Sequence, residues 1–133
     1  MKANELMIGD LVQVPCLIDN VEHYDAWCKV KQLRDCDLDV IGFKELKYNE
    51  IMPIPLTAEI LEKNFNGADP YGIYFFGDEY IEVYIREYTD GLWRVEVDEV
   101  EMGGLPTWKM YVSNIHELQH ALRLAGVEKE IEP

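Results

Sequence analysis

The first third of the chain sets short runs of alternating apolar and polar residues between turn signals. Gly9-Asp10-Leu11-Val12-Gln13-Val14-Pro15 opens on a turn and alternates as far as Pro15. The missing N–H of that proline predicts a short edge strand ending there. Residues 27–33 repeat the pattern, and residues 38–43 follow after the acidic turn Arg34-Asp35-Cys36-Asp37. Ile51-Met52-Pro53-Ile54-Pro55-Leu56 is predicted to be extended, because each proline pushes its predecessor out of the α region. Four or five short strands within about 50 residues fit a small SH3-like β-barrel over residues 1–55.

The pattern then changes period. Thr57 is placed to cap a helix over residues 58–65, with Glu59 in the favourable first turn and Asn66-Gly67 available to end it. Ile60, Leu61 and Phe65 give that helix a narrow apolar face. Beyond Asp69-Pro70-Tyr71-Gly72 the alternation returns as Ile73-Tyr74-Phe75-Phe76 and then as Ile81, Val83 and Ile85 between polar neighbours. Asp90-Gly91 turns the chain into Trp93, Val95 and Val97, which predicts a hairpin with one wet face. Gly103-Gly104 introduces a further strand, with Pro106 near its start and Trp108, Met110 and Val112 on one side. Residues 56–133 are thus expected to form a four-stranded antiparallel meander flanked by two helices, and the fold class is α+β.

Composition narrows what such a fold does. Hydrophobic residues make up 48% and charged residues 29%, a globular balance, so the chain is expected to bury a core. Twelve Lys and Arg stand against 26 Asp and Glu, a formal charge of −14, and neither half is basic. Such a field repels phosphate backbones, so nucleic acid is not an expected partner. The first residues lack the apolar stretch of a secretory signal, and no run approaches the ~20 apolar residues that span a bilayer. These features point to a cytoplasmic protein with no membrane partner. Cys16, Cys28 and Cys36 are odd in number and lack Cys-x-x-Cys spacing, which suits reduced, packed thiols.

One motif carries chemistry. His116-Glu117-Leu118-Gln119-His120 fits H-E-x-x-H, in which two imidazoles one helical turn apart hold a zinc ion and the glutamate serves as general base. The metal ligands in that reading are His116 and His120, and the catalytic residue is Glu117. A plainer account covers the same residues. Asn114 and Glu117 have the spacing of a capping box, with Asn114 accepting from the Glu117 amide and Glu117 reaching back to the Asn114 amide. At ~100° per residue, Ile115, Leu118, Ala121, Leu122 and Ala125 form one apolar stripe. His116, Gln119, His120 and Arg123 fall opposite, where the histidines are expected to face solvent. Arg123 there opposes a dication unless it points away. No metzincin third ligand follows, since only Glu128, Glu130 and Glu132 lie downstream on a short segment beyond Gly126. His23 or a strand carboxylate is the remaining source of a third donor. No metal or cofactor is therefore expected, with zinc as the alternative.

Other constellations are weaker. Ser113 is the only serine and reads as a helix-entry residue, which leaves no base for acyl transfer by serine. Asp35, Asp37 and Asp39 alternate like calcium ligands, yet lack the glycine and closing glutamate of an EF-hand, so a solvated loop is expected. The aromatic stretch from Tyr71 to Tyr88 is expected to serve core and cross-strand packing, with a protein-binding surface as the alternative.

Three stretches carry a resemblance. Residues 1–12 (MKANELMIGDLV), Pro53-Ile54-Pro55-Leu56-Thr57 and residues 116–124 (HELQHALRL) resemble a group of small uncharacterised proteins of gut Bacteroidales and their phages and mobile elements. Here Asn64-Phe65-Asn66-Gly67 departs from the Asn-Gly-Phe of that group. The resemblance implies a phage-like or conjugative setting and carries over no catalytic residue. The expectation for function is a non-enzymatic, acidic protein that works through contacts with another protein. Its alternatives are a minimal H-E-x-x-H zinc metallohydrolase and an acidic mimic of nucleic acid that inhibits a host factor.

Overall fold

The computed structural model describes residues 5–18, 21–34, 36–100 and 108–133, with side chains at these positions except 15–18, 21–26, 43 and 45. Asp35, Gly103-Gly104 and Pro106 fall outside the described residues, as do the side chains of Cys16 and His23. Chain contacts divide into two compact units, Met1–Ile54 and Pro55–Pro133. Both are built on antiparallel sheets, and the fold is α+β.

In the first unit β1 (Leu11–Ile18), β2 (Val21–Leu33), β3 (Asp37–Val40), β4 (Phe43–Lys47) and β5 (Met52–Pro53) form one sheet in the order β4-β3-β2-β1-β5. A 3-10 turn, Tyr48–Glu50, precedes β5. Alternation produces the core directly. Val12, Val14, Val30, Leu38, Val40 and Ile51 are buried together with Leu6. Burying one such side chain contributes about 1.5–3 kcal/mol relative to leaving it in water, which is why the period-2 pattern fixes the register.

Two expectations are corrected here. β1 is not an edge strand ending at Pro15, since it runs on to Ile18, pairs with β2 along its length and takes β5 at Val12 and Gln13. The register slips between Val14 and Cys16, so the ladder passes the missing N–H of Pro15 at an irregularity. Residues 38–43 are not one strand. Gly42 adopts φ 97° and turns the chain between Val40 and Phe43, a conformation only glycine takes without strain.

In the second unit the helix α1 (Ala58–Phe65) forms as its caps dictate. The Thr57 side chain accepts from the Ile60 amide at 3.4 Å, and Asn66 ends the helix in the left-handed region at φ 59°. β6 (Tyr74–Gly77), β7 (Ile81–Thr89), β8 (Leu92–Glu99) and β9 (Trp108–Val112) follow as a meander in the order β6-β7-β8-β9, and α2 (Ile115–Leu124) closes the sequence of elements. Val83, Ile85, Trp93, Val95, Val97 and Val112 bury one face of this sheet. α1 lies against β6 and α2 against β9. Phe65 meets Phe76 edge-on at 6.4 Å, and the Trp93 indole donates to the Leu56 carbonyl at 3.1 Å. The aromatic stretch divides: Tyr74 is buried in this core, whereas Tyr71, Tyr80 and Tyr88 are exposed. No helix among the described residues is long and apolar enough to cross a membrane.

Candidate functional site

The H-E-x-x-H segment lies on α2, in its first two turns. His116 and His120 bring their rings within 5.8 Å, edge to face at 75°. Glu117 is engaged by its neighbour: the Asn114 side-chain amide donates to the Glu117 carboxylate at 2.6 Å. This replaces the expected capping box, because Asn114 makes no side-chain bond to the helix backbone. Its main chain instead forms an isolated antiparallel bridge with Pro55.

The expectation that the polar side of α2 faces solvent fails for His116 and Gln119, while His120 and Arg123 are partly exposed. His116 is 5% exposed and Gln119 is 7% exposed, alongside the buried stripe of Ile115, Leu118, Ala121, Leu122 and Ala125. For Gln119 the reason is the segment after Gly126, which folds back as an extended strap with Val127 and Ile131 buried. The Gln119 amide donates to the Lys129 carbonyl at 2.7 Å and accepts from the Ile131 N–H at 2.9 Å. A side-chain amide carries the same donor and acceptor as a peptide unit, so it completes the strap as a neighbouring strand would. Asn64 on α1 repeats the device, donating to the Glu132 carbonyl at 2.7 Å and accepting from the Glu132 N–H at 2.9 Å. Lys129 meanwhile sits over the rings of Phe65 and Phe76 at 5.4 and 5.5 Å. Among the described residues no group of three His, Cys, Asp or Glu stands close enough to hold a metal ion.

The Asp37–Asp39 pair is likewise not a solvated loop. Both residues lie on β3, where the guanidinium of Arg34 forks between them, to Asp37 through Nε and to Asp39 at 2.6 and 3.3 Å. The two carboxylates raise the Arg34 pKa further above its usual value, so this triad is held as fixed charge. Cys28 and Cys36 are free thiols, and burial pushes the Cys28 pKa up, away from a reactive thiolate.

On the outer face of the meander acids and bases lie side by side: Glu96 pairs with Arg94 and stands opposite Lys109. Glu82 stands opposite Asp98, and Tyr84 opposite Glu96. The Tyr84 hydroxyl donates to Glu82 at 2.6 Å, and this bond together with burial pushes its pKa up to about 12. Burial, followed by the charges of Glu96 and Glu82, raises the Asp98 carboxyl above its ordinary range.

The first unit carries a groove of about 780 Å³. Val30 and Val40 also line it, although both are buried and their side chains belong to the core of this unit. Ile8-Gly9 lines it on one side and the Ile41-Gly42 turn on another, leaving Ile8 and Ile41 65% and 62% exposed. Lys29, Lys31 and Lys44 contribute the cations of its lining and Asp39, already paired with Arg34, the carboxylate. The residues come from four separate segments, which the pairing of β2 with β3 and of β3 with β4 gathers. No single stretch of sequence announces them. The only signal is the density of lysine in residues 29–44 of a chain with 12 Lys and Arg in all. A concavity with exposed aliphatic groups and a few charged groups around it is the form of a binding site.

No family model, no curated protein and no solved structure matches this chain.

Proposed function

We propose that this chain is a non-enzymatic protein that acts by binding another protein, and that the groove of the first unit is its contact surface. The observation that carries this is two large aliphatic side chains, Ile8 and Ile41, held in solvent at a groove that three lysines also line. Water-exposed aliphatic surface gathered around a concavity marks an interface more often than scattered exposure does. The proposal extends to the form of the first unit, an SH3-like small barrel. Its support is the meander β1 to β4, a 3-10 turn before β5, and the return of β5 to β1, an order in which small barrels present grooves between loop and strand. The acidic remainder of the chain and the resemblance to proteins of phages and mobile elements fit a cytoplasmic binding protein of that origin.

The test is capture from native lysate under mild salt by the wild-type chain and by Ile41→Asp. A protein recovered by the wild type and lost with the variant is the expected result. Recovery of no protein, or equal recovery by both, contradicts the reading. Lysine-reactive cross-links from the partner are expected at Lys29, Lys31 or Lys44.

A second reading, zinc held by His116 and His120 with Glu117 as base, has in its favour the adjacency of the two rings. It requires about one equivalent of zinc in protein purified without chelator, and metal analysis finding none removes it.

A further inference from the structure

The groove also constrains what occupies it. Resting on the reading above, we infer that its occupant is an extended acidic segment of a partner protein, with Asp or Glu residues flanking one bulky aliphatic or aromatic anchor.

The chain carries a formal charge of −14, so most of its surface repels an acidic ligand. Lys29, Lys31 and Lys44 are three of its 12 basic residues, and they converge on one concavity. The carboxylate in the lining, Asp39, shares Arg34 with Asp37, so that triad keeps one net negative charge, which the three lysines outnumber. An island of positive potential inside a negative field selects ligand by sign and by position, because only a ligand that reaches the island gains from it. Ile41 and Ile8 add an apolar requirement. A purely charged ligand leaves both aliphatic groups in water and gains only the screened attraction of exposed ions. An anchor that covers them gains more, through the burial of apolar surface.

An extended ligand fits the frame as well. Lys44 lies on β4, the outermost strand of the sheet, while Lys29 and Lys31 lie on β2, two strands inward. Neighbouring strands are about 4.8 Å apart, so the cations span roughly 10 Å across the sheet. An extended chain advances about 3.3 Å per residue and meets both rows within a few residues. A phosphate backbone would match the lysines but not the isoleucines, and the remaining field of the chain opposes it.

The experiment is fluorescence polarisation with the full chain and degenerate labelled decapeptide pools. One pool sets Asp and Glu around Leu, Ile, Phe or Met; a second replaces the apolar positions by Ser; a third replaces the acids by Lys. The first pool is expected to bind saturably, about tenfold or more tighter than the second, as burial of one aliphatic side chain implies. The third is expected not to bind. Lys31→Glu/Lys44→Glu and, separately, Ile41→Asp are each expected to weaken the first pool about tenfold or more, and both alter exposed positions. Unchanged urea unfolding confirms that each variant is folded. Equal binding of the first and second pools, tighter binding of a single-stranded oligonucleotide, or loss of the groove to concentration-dependent self-association overturns the inference. Failure of all pools alongside Ile41-dependent capture of a protein overturns the acidic occupant and leaves the protein-binding reading standing.

Discussion

Replacing Gln119 by Leu puts a side chain of similar reach but no polarity on the buried side of α2. Two hydrogen bonds disappear, one to the Lys129 carbonyl and one from the Ile131 N–H. A net contribution of about 1 kcal/mol for each gives about 2 kcal/mol. Ile131 is 1% exposed, so its stranded N–H adds a desolvation cost, and the total is about 2–4 kcal/mol. That is a large share of the ~5–15 kcal/mol that holds an ordinary domain together, yet leaves the unit folded at room temperature. Gln119→Glu keeps an acceptor for Ile131 but sets a carboxylate oxygen against the Lys129 carbonyl at a position 7% exposed, so it costs at least as much as Leu. Urea unfolding followed by amide hydrogen exchange reads both effects, with exchange at Ile131 accelerating most in Gln119→Leu. A loss below about 0.5 kcal/mol with unchanged exchange at Ile131 refutes the clasp, and with it the claim that this side of α2 is turned inward.

Further outcomes follow from local geometry. Thr57→Ala removes the side-chain cap of α1, and because the bond to Ile60 is long at 3.4 Å the loss lies near the low end of capping effects, about 0.5–1 kcal/mol by thermal unfolding. Asp98→Asn removes a carboxyl whose pKa the fold raises; such a group favours the fold when protonated, and that contribution is lost as pH climbs through the raised value. The variant therefore melts above the wild type at pH 7, and the gap closes below the ordinary carboxylate value of 3.8. Asp78 behaves oppositely: its carboxylate accepts from the Tyr80 and Ile81 amides at 2.7 and 2.9 Å, which lowers its pKa. Its stabilisation is present above the ordinary value and lost as pH falls through the lowered one, so Asp78→Ala flattens the acid limb of the Tm profile.

What is legible in the sequence is what neighbouring residues decide. Thr57 and Asn66-Gly67 bound α1, and Asp90-Gly91 turns the hairpin, because caps and turns act within a few residues. The alternation of Val83 and Ile85 with polar neighbours fixes which face of β7 is buried. What the sequence hides depends on residues distant in the chain. The missing N–H of Pro15 is local and argues for a strand end, whereas the register slip that accommodates it comes from pairing with β2. Helical angle alone turns Gln119 and His116 towards solvent. The strap that gives Gln119 its partners begins only after Gly126 and is an extended piece without periodicity. The groove is hidden for the same reason, since Ile8, Lys29, Ile41 and Lys44 meet only when the strands pair.

The central claim is that this protein works by contact through the groove of its first unit. Chemical-shift mapping of the 15N-labelled chain, titrated with the captured partner or the acidic–aliphatic pool, tests it residue by residue. Shifts at Ile8, Gly9, Lys29, Lys31, Ile41 and Lys44 are the predicted result. Shifts confined to α2 around His116 and His120, or to the outer face of the four-stranded sheet, contradict it.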